Sequence, residues 1–437
     1  MRRTRMPGIL FGCHVVACAV GVMPTCARAE SDHERIEKLE QQLEQSTELI
    51  ARLSARINQL EQSVHAQAEQ VNAREQEDAQ SAARIATVPA TPDSAPLPPA
   101  SDGITLHAFA DVGYVNSDQT LSDDRDSGFT MGNLDFYLTP QIAARVKSLF
   151  ELNFEYESDG GLEVDLERAQ LGYTVGDSLT VWAGRFHTPF GYWNTAFHHG
   201  AQLQTSVGRP RFLEFEDAGG ILPAHTVGLW GTGTHRAGNG RLYYDAYVGN
   251  GDRILDGELD FNAVRDDNGQ TALGLSLGYQ FGLTPDSLLL GVHVLNENVN
   301  AYSGGNLVSR SRLRVYGGYA VYQPDNWEGI AEYYRFVNDA LSMQGARHSS
   351  WSGFVQLGYV FSGRLTPYLR YEEAILDQSD PYFANLAEGR SYQRGVLGLR
   401  YDLNPRSALK LEVDRTDETR DGGERFNELL GQLAIRF

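Results

Sequence analysis

The chain has 437 residues and a formal net charge of −20, from 37 basic and 57 acidic side chains. This acidity argues against a nucleic-acid-binding protein, because phosphate recognition requires a basic surface. The only apolar stretch that approaches the length of a membrane-spanning helix lies at the N-terminus, which excludes a polytopic helical membrane protein. A membrane β-barrel remains possible, since lipid-facing and lumen-facing residues alternate along its strands and average to a low hydropathy.

Residues 1–29 have the three parts of a secretory signal peptide. Three arginines precede an apolar run from Gly8 to Met23, and small residues stand at Ala27 and Ala29, the two positions that signal peptidase reads. We expect cleavage after Ala29 and export across the inner membrane of a bacterium. All three cysteines lie in this segment, so we expect a mature chain without disulfides or thiolate sites.

Residues 30–74 carry a heptad repeat without proline or glycine. Branched aliphatic residues occupy position a from Ile36 to Val71, with leucine at three of the d positions. This pattern predicts a coiled coil, because a lone helix would leave its apolar stripe in water. β-Branched residues at a favour two strands, while the polar d positions leave a trimer open. The proline-rich stretch 75–103 predicts an extended linker.

From residue 104 to residue 437 the sequence alternates apolar with polar or small residues in runs of about ten, as expected of half-exposed strands. Short turn sequences and longer polar stretches connect the runs alternately, as in outer-membrane barrels with short periplasmic turns and long outer loops. This predicts an all-β fold, a sixteen-stranded antiparallel transmembrane β-barrel over 104–437. The runs lie at 104–116, 131–139, 143–157, 162–175, 179–186, 225–233, 241–250, 270–282, 287–297, 310–323, 327–338, 349–362, 365–376, 390–403, 408–417 and 426–437.

The last run places Leu429, Leu433 and Ile435 on one face and ends in an aromatic residue, Phe437. This ending resembles the signal that the barrel-assembly machinery reads. We therefore expect a bacterial outer-membrane protein in contact with lipid and lipopolysaccharide. An even strand count places the coiled coil in the periplasm, where it could reach the cell wall.

The longest connection, residues 187–224, contains many aromatic residues as well as charges. A freely exposed loop would not carry so many aromatic side chains, so we expect it to fold into the barrel and present its charges to a channel. The alternative is an outer loop packed on neighbouring loops or on a sister subunit. The expected constriction residues are Arg209, Arg211, Glu214, Glu216 and Asp217.

Alternating charges predict two walls inside the barrel. Arg310, Arg312 and Arg314 share one face by the two-residue period, opposite Leu313 and Val315. The alternative is that wall charges pair with one another, with no consequence for transport. The expected basic lining is Arg310, Arg312, Arg314, Arg370, Arg394 and Arg400, and the expected acidic lining is Glu151 and Glu155 with Glu163, Asp165 and Glu167.

No motif predicts catalysis, a metal or a cofactor. Gly274–Gly278 matches the G-x-S-x-G nucleophile pattern, but its serine lies within a run and not at a strand–turn–helix elbow. The adjacent His198 and His199 lack a third fixed ligand. We therefore expect a protein that is not an enzyme and that holds no cofactor.

The residues from Gly184 to Gly191, GRFHTPFG, resemble the G-R-F-x-x-P-F-G stretch of the phosphate-selective porin O/P type family. The layout over 104–437 and the coiled coil before it are also similar to that family. The resemblance implies a homo-oligomeric outer-membrane channel, a trimer. The sequence departs from the family where selectivity is decided, because phosphate channels line this loop with lysines and 187–224 contains none.

Together these features predict an outer-membrane porin for passive diffusion of small hydrophilic solutes or ions. One alternative is a substrate-specific channel, either for an anion such as phosphate or for an oligosaccharide that contacts aromatics such as Tyr192 and Trp193. Another alternative is a structural tether between the outer membrane and the cell wall, which would conduct no ions.

Overall fold

The computed structural model describes residues 104–120, 127–156, 161–197, 200–216, 219–260, 263–342 and 345–437. The signal peptide, the heptad repeat and the linker lie outside these residues. Within this part of the chain, no helix is long and apolar enough to cross a membrane. The strands are β1 (Ile104–Ser117), β2 (Gly128–Ala143), β3 (Val146–Tyr156), β4 (Leu162–Gly176), β5 (Leu179–His187), β6 (His225–Ala237), β7 (Gly240–Gly249), β8 (Arg253–Leu255), β9 (Glu258–Leu259), β10 (Ala272–Gln280), β11 (Leu289–Ser303), β12 (Asn306–Tyr322), β13 (Trp327–Ala340), β14 (Ala346–Tyr359), β15 (Leu365–Ile375), β16 (Tyr392–Asn404), β17 (Ser407–Asp417) and β18 (Arg425–Arg436).

Sixteen of these eighteen strands form one closed antiparallel ring. Each strand pairs with its neighbour in sequence, β7 pairs with β10, and β1 closes the ring by pairing with both β2 and β18. The two short strands β8 and β9 belong to the connection between β7 and β10, where β8 pairs in parallel with the end of β11. The predicted sixteen-stranded barrel is confirmed, and each predicted run overlaps one strand of the ring.

Strand pairing continues further than the sequence pattern indicated between β11 and β12. Their ladder reaches Ser303 paired with Asn306, so the residues between the two predicted runs form a tight hairpin around Gly304 and Gly305. Both glycines have positive φ, 53° and 77°, which suits a two-residue turn.

The last residue completes the ring at the end where the short turns lie. The N–H of Ala108 donates to the Phe437 carbonyl at 2.8 Å, and the N–H of Phe437 donates to the Ala108 carbonyl at 3.0 Å. The start of β1 and the end of β18 therefore meet at the short-turn end, and the long connections lie at the opposite end.

Burial along the strands is the inverse of that in a water-soluble sandwich. On β17 the side chains of Leu409, Leu411 and Val413 are about half exposed, whereas Glu412 is fully buried. Apolar residues facing outward and charged residues facing inward suit a ring that is surrounded by lipid.

The half of the interior nearest the long connections contains an apolar core. The connection 188–224 contributes the short helix Trp193–Ala196, and the connection 376–391 contributes the short helix Pro381–Ala384, whose N-cap Asp380 accepts from the Tyr382 N–H at 3.0 Å. Their buried aromatic side chains pack with apolar residues of the wall in one cluster. This core decides which face of each neighbouring strand is apolar.

Candidate channel and its inward loop

The motif Gly184–Gly191 turns the chain from the wall at β5 into the barrel. Gly184 has a φ of 130°, and a Cβ at this position would clash with the carbonyl oxygen of Ala169 on β4. Gly191 has a φ of 64°, and a Cβ there would clash with the Tyr334 hydroxyl. Glycine alone tolerates both the backbone angles and the close approach. The spacing of the motif is therefore explained by the entry of the loop.

The loop that follows, residues 188–224, crosses the interior to the opposite wall. The N–H of Trp193 donates to Glu332 Oε1 on β13 at 2.6 Å. Further along, the N–H of Val207 donates to Glu412 Oε2 on β17 at 2.9 Å. In the described parts of this segment, the loop lies inside the barrel, which decides against an outer loop packed on its neighbours.

The aromatic residues of the loop anchor it in the apolar core. Trp193 is fully buried and meets Phe354 on β14 edge to face, with ring centroids 5.5 Å apart. Phe212 meets Tyr334 in the same way at 5.3 Å, and Phe190 is buried beside them. Removing these rings from water supplies much of the energy that holds the loop in place.

Basic side chains of the wall hold the backbone of the loop. Arg370 donates to two loop carbonyl oxygens at 3.0 Å, Arg400 to two at 2.8 Å, and the Lys410 ammonium to two more. Arg394 donates to Asp414 Oδ2 at 2.7 Å. The three arginines each lie beside a carboxylate, Arg370 with Glu372, Arg394 with Asp414 and Arg400 with Asp402, so their positive charges are balanced next to them.

The arginines of the loop also have hydrogen-bond or ion-pair partners. Arg209 Nε donates to the Leu213 carbonyl at 2.8 Å, and burial lowers the pKa of the Arg209 guanidinium. Arg211 forms ion pairs with Glu388 and Glu418. Burial also acts to lower the pKa of Arg211, but the two carboxylates outweigh it and raise that pKa.

The loop acids differ in their environments. Glu216 Oε1 accepts the N–H groups of Ala224 at 2.6 Å and His225 at 2.8 Å. Burial raises the pKa of Glu216, but His225 and these hydrogen bonds outweigh it and hold the pKa below its usual range. Burial raises the pKa of Glu214 despite the nearby arginines. Asp217 lies outside the described residues.

Acidic residues dominate the inner face of β3 and β4. Glu151 is fully buried and forms an ion pair with Arg168. Nearer the long connections, the carboxylates of Glu155, Glu163 and Asp165 lie within 4.8 Å of one another. Exposed acidic clusters are common without a bound ion, so we interpret this group, called here the acidic mouth, as a source of negative potential.

The structure corrects the prediction for Arg310, Arg312 and Arg314. They do share one face of β12, but it is the outer face, because Leu313 and Val315 point inward and are buried in the apolar core. The core formed by the loops reverses the usual polarity of this strand end. These three arginines therefore do not line the channel.

An amphipathic cavity of about 420 Å³ lies between the start of the loop and the wall. Tyr192, Trp230, Tyr243 and Tyr319 supply aromatic surfaces, and Trp230 Nε1 donates to Asp245 Oδ1 at 3.0 Å. Its volume falls in the range of about 300–1,000 Å³ typical of small-molecule sites. Further polar lining comes from Arg168, Gln170, Thr195, Thr232 and Ser276.

The sequence interpretation missed Trp230, Tyr243 and Tyr319 as lining residues and Lys410 as a loop anchor. A signal for them exists, since each alternates with outward apolar neighbours and so faces inward by the two-residue period. Ser276 of the G-x-S-x-G match lies in the middle of β10, without the helix of a nucleophile elbow. His198 and His199 lie outside the described residues.

No protein-family model matches the sequence, and no curated protein matches it. Solved structures resemble its fold. An anion-selective porin from Comamonas acidovorans has a TM-score of 0.55 at 13% identity, covering 77% of this chain and 99% of the porin. The trimer form of OmpT, an outer membrane protein of Vibrio cholerae, has a TM-score of 0.51 at 10% identity, covering 77% and 99%. The outer membrane channel DcaP of Acinetobacter baumannii has a TM-score of 0.50 at 14% identity, covering 76% and 97%.

At these identities the comparisons show the fold alone. The described part of the chain has the sixteen-stranded barrel fold of outer-membrane porins, and the phosphate-selective type is not among the structures compared above. The solute and the selectivity have to be argued from the residues of this chain.

Proposed function

We propose that the chain is an outer-membrane porin through which small hydrophilic solutes diffuse passively, in a lumen narrowed by the loop 188–224. The observation that carries this proposal is the closed ring with apolar side chains outside and charged side chains inside, crossed by a loop that the wall holds in place. A sixteen-stranded ring is wide enough to leave an aqueous channel around such a loop. This role requires no reaction and no cofactor.

Single-channel recording of the full-length protein in planar bilayers tests this function. We expect discrete ohmic conductance steps in KCl and none with heat-denatured protein from the same preparation. An inserted, heat-modifiable barrel that produced no conductance would contradict the porin function and favour the tether between the outer membrane and the cell wall.

The arrangement of charges favours cations over phosphate. The resemblance to the phosphate-selective family would require a basic path, whereas the charges of Arg370, Arg394 and Arg400 are each balanced by a neighbouring carboxylate. The acidic mouth adds three carboxylates near the long-connection end. We therefore propose that the channel prefers cations. Inorganic phosphate should not reduce the chloride current through it.

A second candidate function, a channel with a site for neutral sugars, is favoured by the amphipathic cavity. Sugars present apolar ring faces to aromatic side chains and hydroxyls to polar ones. Arg168 is ion-paired with Glu151, and Asp245 accepts a hydrogen bond from the Trp230 indole, so the polar lining offers hydrogen bonds to an uncharged solute.

Sugar block of the ion current tests the second candidate. Maltose or sucrose should reduce the single-channel current in a saturable way that Tyr319→Leu weakens about tenfold, or ~1.4 kcal/mol. The matched control is Tyr316→Leu, which removes an outward tyrosine of the same strand. Equal block in both variants would contradict a site in this cavity while leaving the porin function intact.

We also propose that residues 30–74 form a periplasmic coiled coil and that the porin is a trimer. The heptad repeat supports the coiled coil, and the trimer form of OmpT from Vibrio cholerae, which has a similar fold, supports the trimer. A peptide of residues 30–75 should sediment as an oligomer, and serine in place of Ile50, Leu53, Ile57 and Leu60 should make it a monomer. A monomeric unmodified peptide at high concentration would contradict the coiled coil.

A further inference from the structure

The arginines that face outward from β12 belong to a larger basic cluster on the outer wall. Arg335 on β13 pairs in register with Tyr316, which lies two residues below Arg314 on the outer face of β12. Arg347 on β14 lies opposite Asp339 of β13. The arginine cluster, as used below, comprises Arg310, Arg312, Arg314, Arg335 and Arg347.

The arginine cluster has far more positive charge than its neighbours balance. Asp339 is shared by Arg314 and Arg347, the latter at 3.1 Å, and Arg312 Nε donates to the neutral Asn298 at 3.3 Å. In the part of the chain that the structure describes, the ion pairs of the cluster all involve Asp339, so five guanidinium groups share one paired carboxylate and leave a charge of +4, from 5 − 1. An outward surface of this charge on a chain with a net charge of −20 calls for an anionic partner.

Aromatic side chains lie next to the arginine cluster on the same outward face, on its short-turn side. Tyr333 and Trp351 stack with ring centroids 6.0 Å apart, and Arg335 pairs in register with Trp351. Aromatic rings mark the membrane–water interface on the outside of membrane barrels. The arginine cluster therefore lies at the level of lipid headgroups, on the side of the long connections.

An apolar groove descends from these rings along β12–β14 toward the short turns. Two adjoining hollows of about 670 Å³ and 420 Å³ share Ala320, Ala331 and Val355. Small residues, including Gly318 and Gly353, leave an open hollow here, whereas neighbouring strands carry large aliphatic side chains. At about 3.4 Å per residue, the six-residue interval from Trp327 to Tyr333 extends about 20 Å, long enough for much of an acyl chain. Glu373 borders the groove on the side of β15.

We propose that the outer wall of β12–β14 binds a phosphorylated, acylated lipid of the outer leaflet, with its phosphates on the arginine cluster and an acyl chain in the groove. Guanidinium groups bind phosphate oxygens through paired hydrogen bonds, and burial of a chain in the groove adds apolar contact area. A soluble anion would use the arginines alone, whereas this surface joins a headgroup site to an acyl site. The proposal requires an inserted barrel and is independent of conductance.

Lipid titration of the full-length protein in detergent tests the headgroup site. The triple variant Arg312→Gln, Arg314→Gln, Arg335→Gln should need at least about tenfold more phosphorylated lipid A for half-maximal binding by native mass spectrometry. The matched control replaces three exposed arginines at the short-turn end, Arg236, Arg241 and Arg436, by glutamine and should bind as the unmodified protein does. Equal binding by both triple variants would overturn the proposal.

Filling the groove tests the acyl site. Ala331→Phe should weaken binding of lipid A, whereas Ala246→Phe, at an outward alanine on β7, should not. Dephosphorylated lipid A should bind more weakly than the phosphorylated form to the unmodified protein. Displacement of the lipid by millimolar inorganic phosphate alone would assign the cluster to a soluble anion and overturn the proposal. Dissociation of the oligomer in the arginine variant, measured by sedimentation, would assign this wall to a sister subunit and overturn it as well.

Discussion

The acidic mouth gives the sharpest prediction for transport. Replacing Glu155 and Glu163 by glutamine and Asp165 by asparagine removes three negative charges whose oxygens lie within 4.8 Å of one another. The amide side chains have nearly the same shape as the carboxylates, so the wall at the ends of β3 and β4 should keep its geometry. We expect the reversal potential in a KCl gradient to shift toward that of an anion-preferring channel.

The size of the shift follows from Coulomb's law. A monovalent cation about 5 Å from one carboxylate gains ~0.8 kcal/mol at the dielectric constant of water, and three carboxylates supply up to ~2.5 kcal/mol. A Debye length of about 10 Å at 0.1 M salt reduces this to ~1.5 kcal/mol, or about a tenfold enrichment of cations at the mouth. Loss of that enrichment should move the reversal potential by tens of millivolts.

The measurement is the zero-current potential across a planar bilayer with a tenfold KCl gradient. At 1 M salt, where the Debye length is about 3 Å, the attraction falls to ~0.5 kcal/mol and the difference between variants should nearly vanish. The matched control neutralises Arg310, Arg312 and Arg314, which lie on the outer face and should leave the potential unchanged. Identical potentials for the unmodified protein and the acidic-mouth variant at low salt would refute the reasoning.

Three further predictions concern the loop and the assembly of the barrel. Gly184→Ala should lower the yield of heat-modifiable barrel, because the strained φ alone costs about 1–3 kcal/mol, whereas Gly395→Ala, with open space around it, should not. Lys410→Met removes donors to two loop carbonyls and should increase the conductance or its noise, while Arg415→Met, on the same strand, should leave the current unchanged. Deletion of Phe437 removes its two backbone hydrogen bonds to the start of β1 and should lower outer-membrane yield without affecting export across the inner membrane, as cell fractionation would show.

The fold was predictable from the sequence because one physical constraint acts on every strand. A ring in lipid has to place apolar side chains outside and its polar groups inside, so the two-residue period persists through all sixteen strands. The ends of the strands were less predictable where the hydrogen-bonded ladder continues past the alternating apolar residues, as in the β11–β12 hairpin at Gly304 and Gly305. There the hydrogen-bonded ladder extends the strands without any apolar alternation to mark them.

The same reasoning gave the wrong result for Arg312 and Arg314. The two-residue period shows that they share one face of the strand, but it does not show whether that face points into the lumen or outward. On β17 the apolar residues face outward from the ring, whereas near the long-connection end of β12 Leu313 and Val315 face a core built by loops distant in sequence. Only the three-dimensional placement of the connections 188–224 and 376–391 determines that reversal. A charge pattern on a barrel strand therefore predicts a channel wall only where no loop fills the interior beside it.

The inward-facing basic residues show a second reason why selectivity cannot be predicted by counting charged residues in the sequence. Arg370 and Lys410 do face the interior, but both donate to carbonyl oxygens of the loop, and Arg370 is also ion-paired with Glu372 at 2.7 Å. A carbonyl acceptor leaves no mark in the sequence, since every residue carries one. The cation preference proposed above therefore rests on the carboxylates of Glu155, Glu163 and Asp165 at the mouth, and not on a count of the charged residues along the strands.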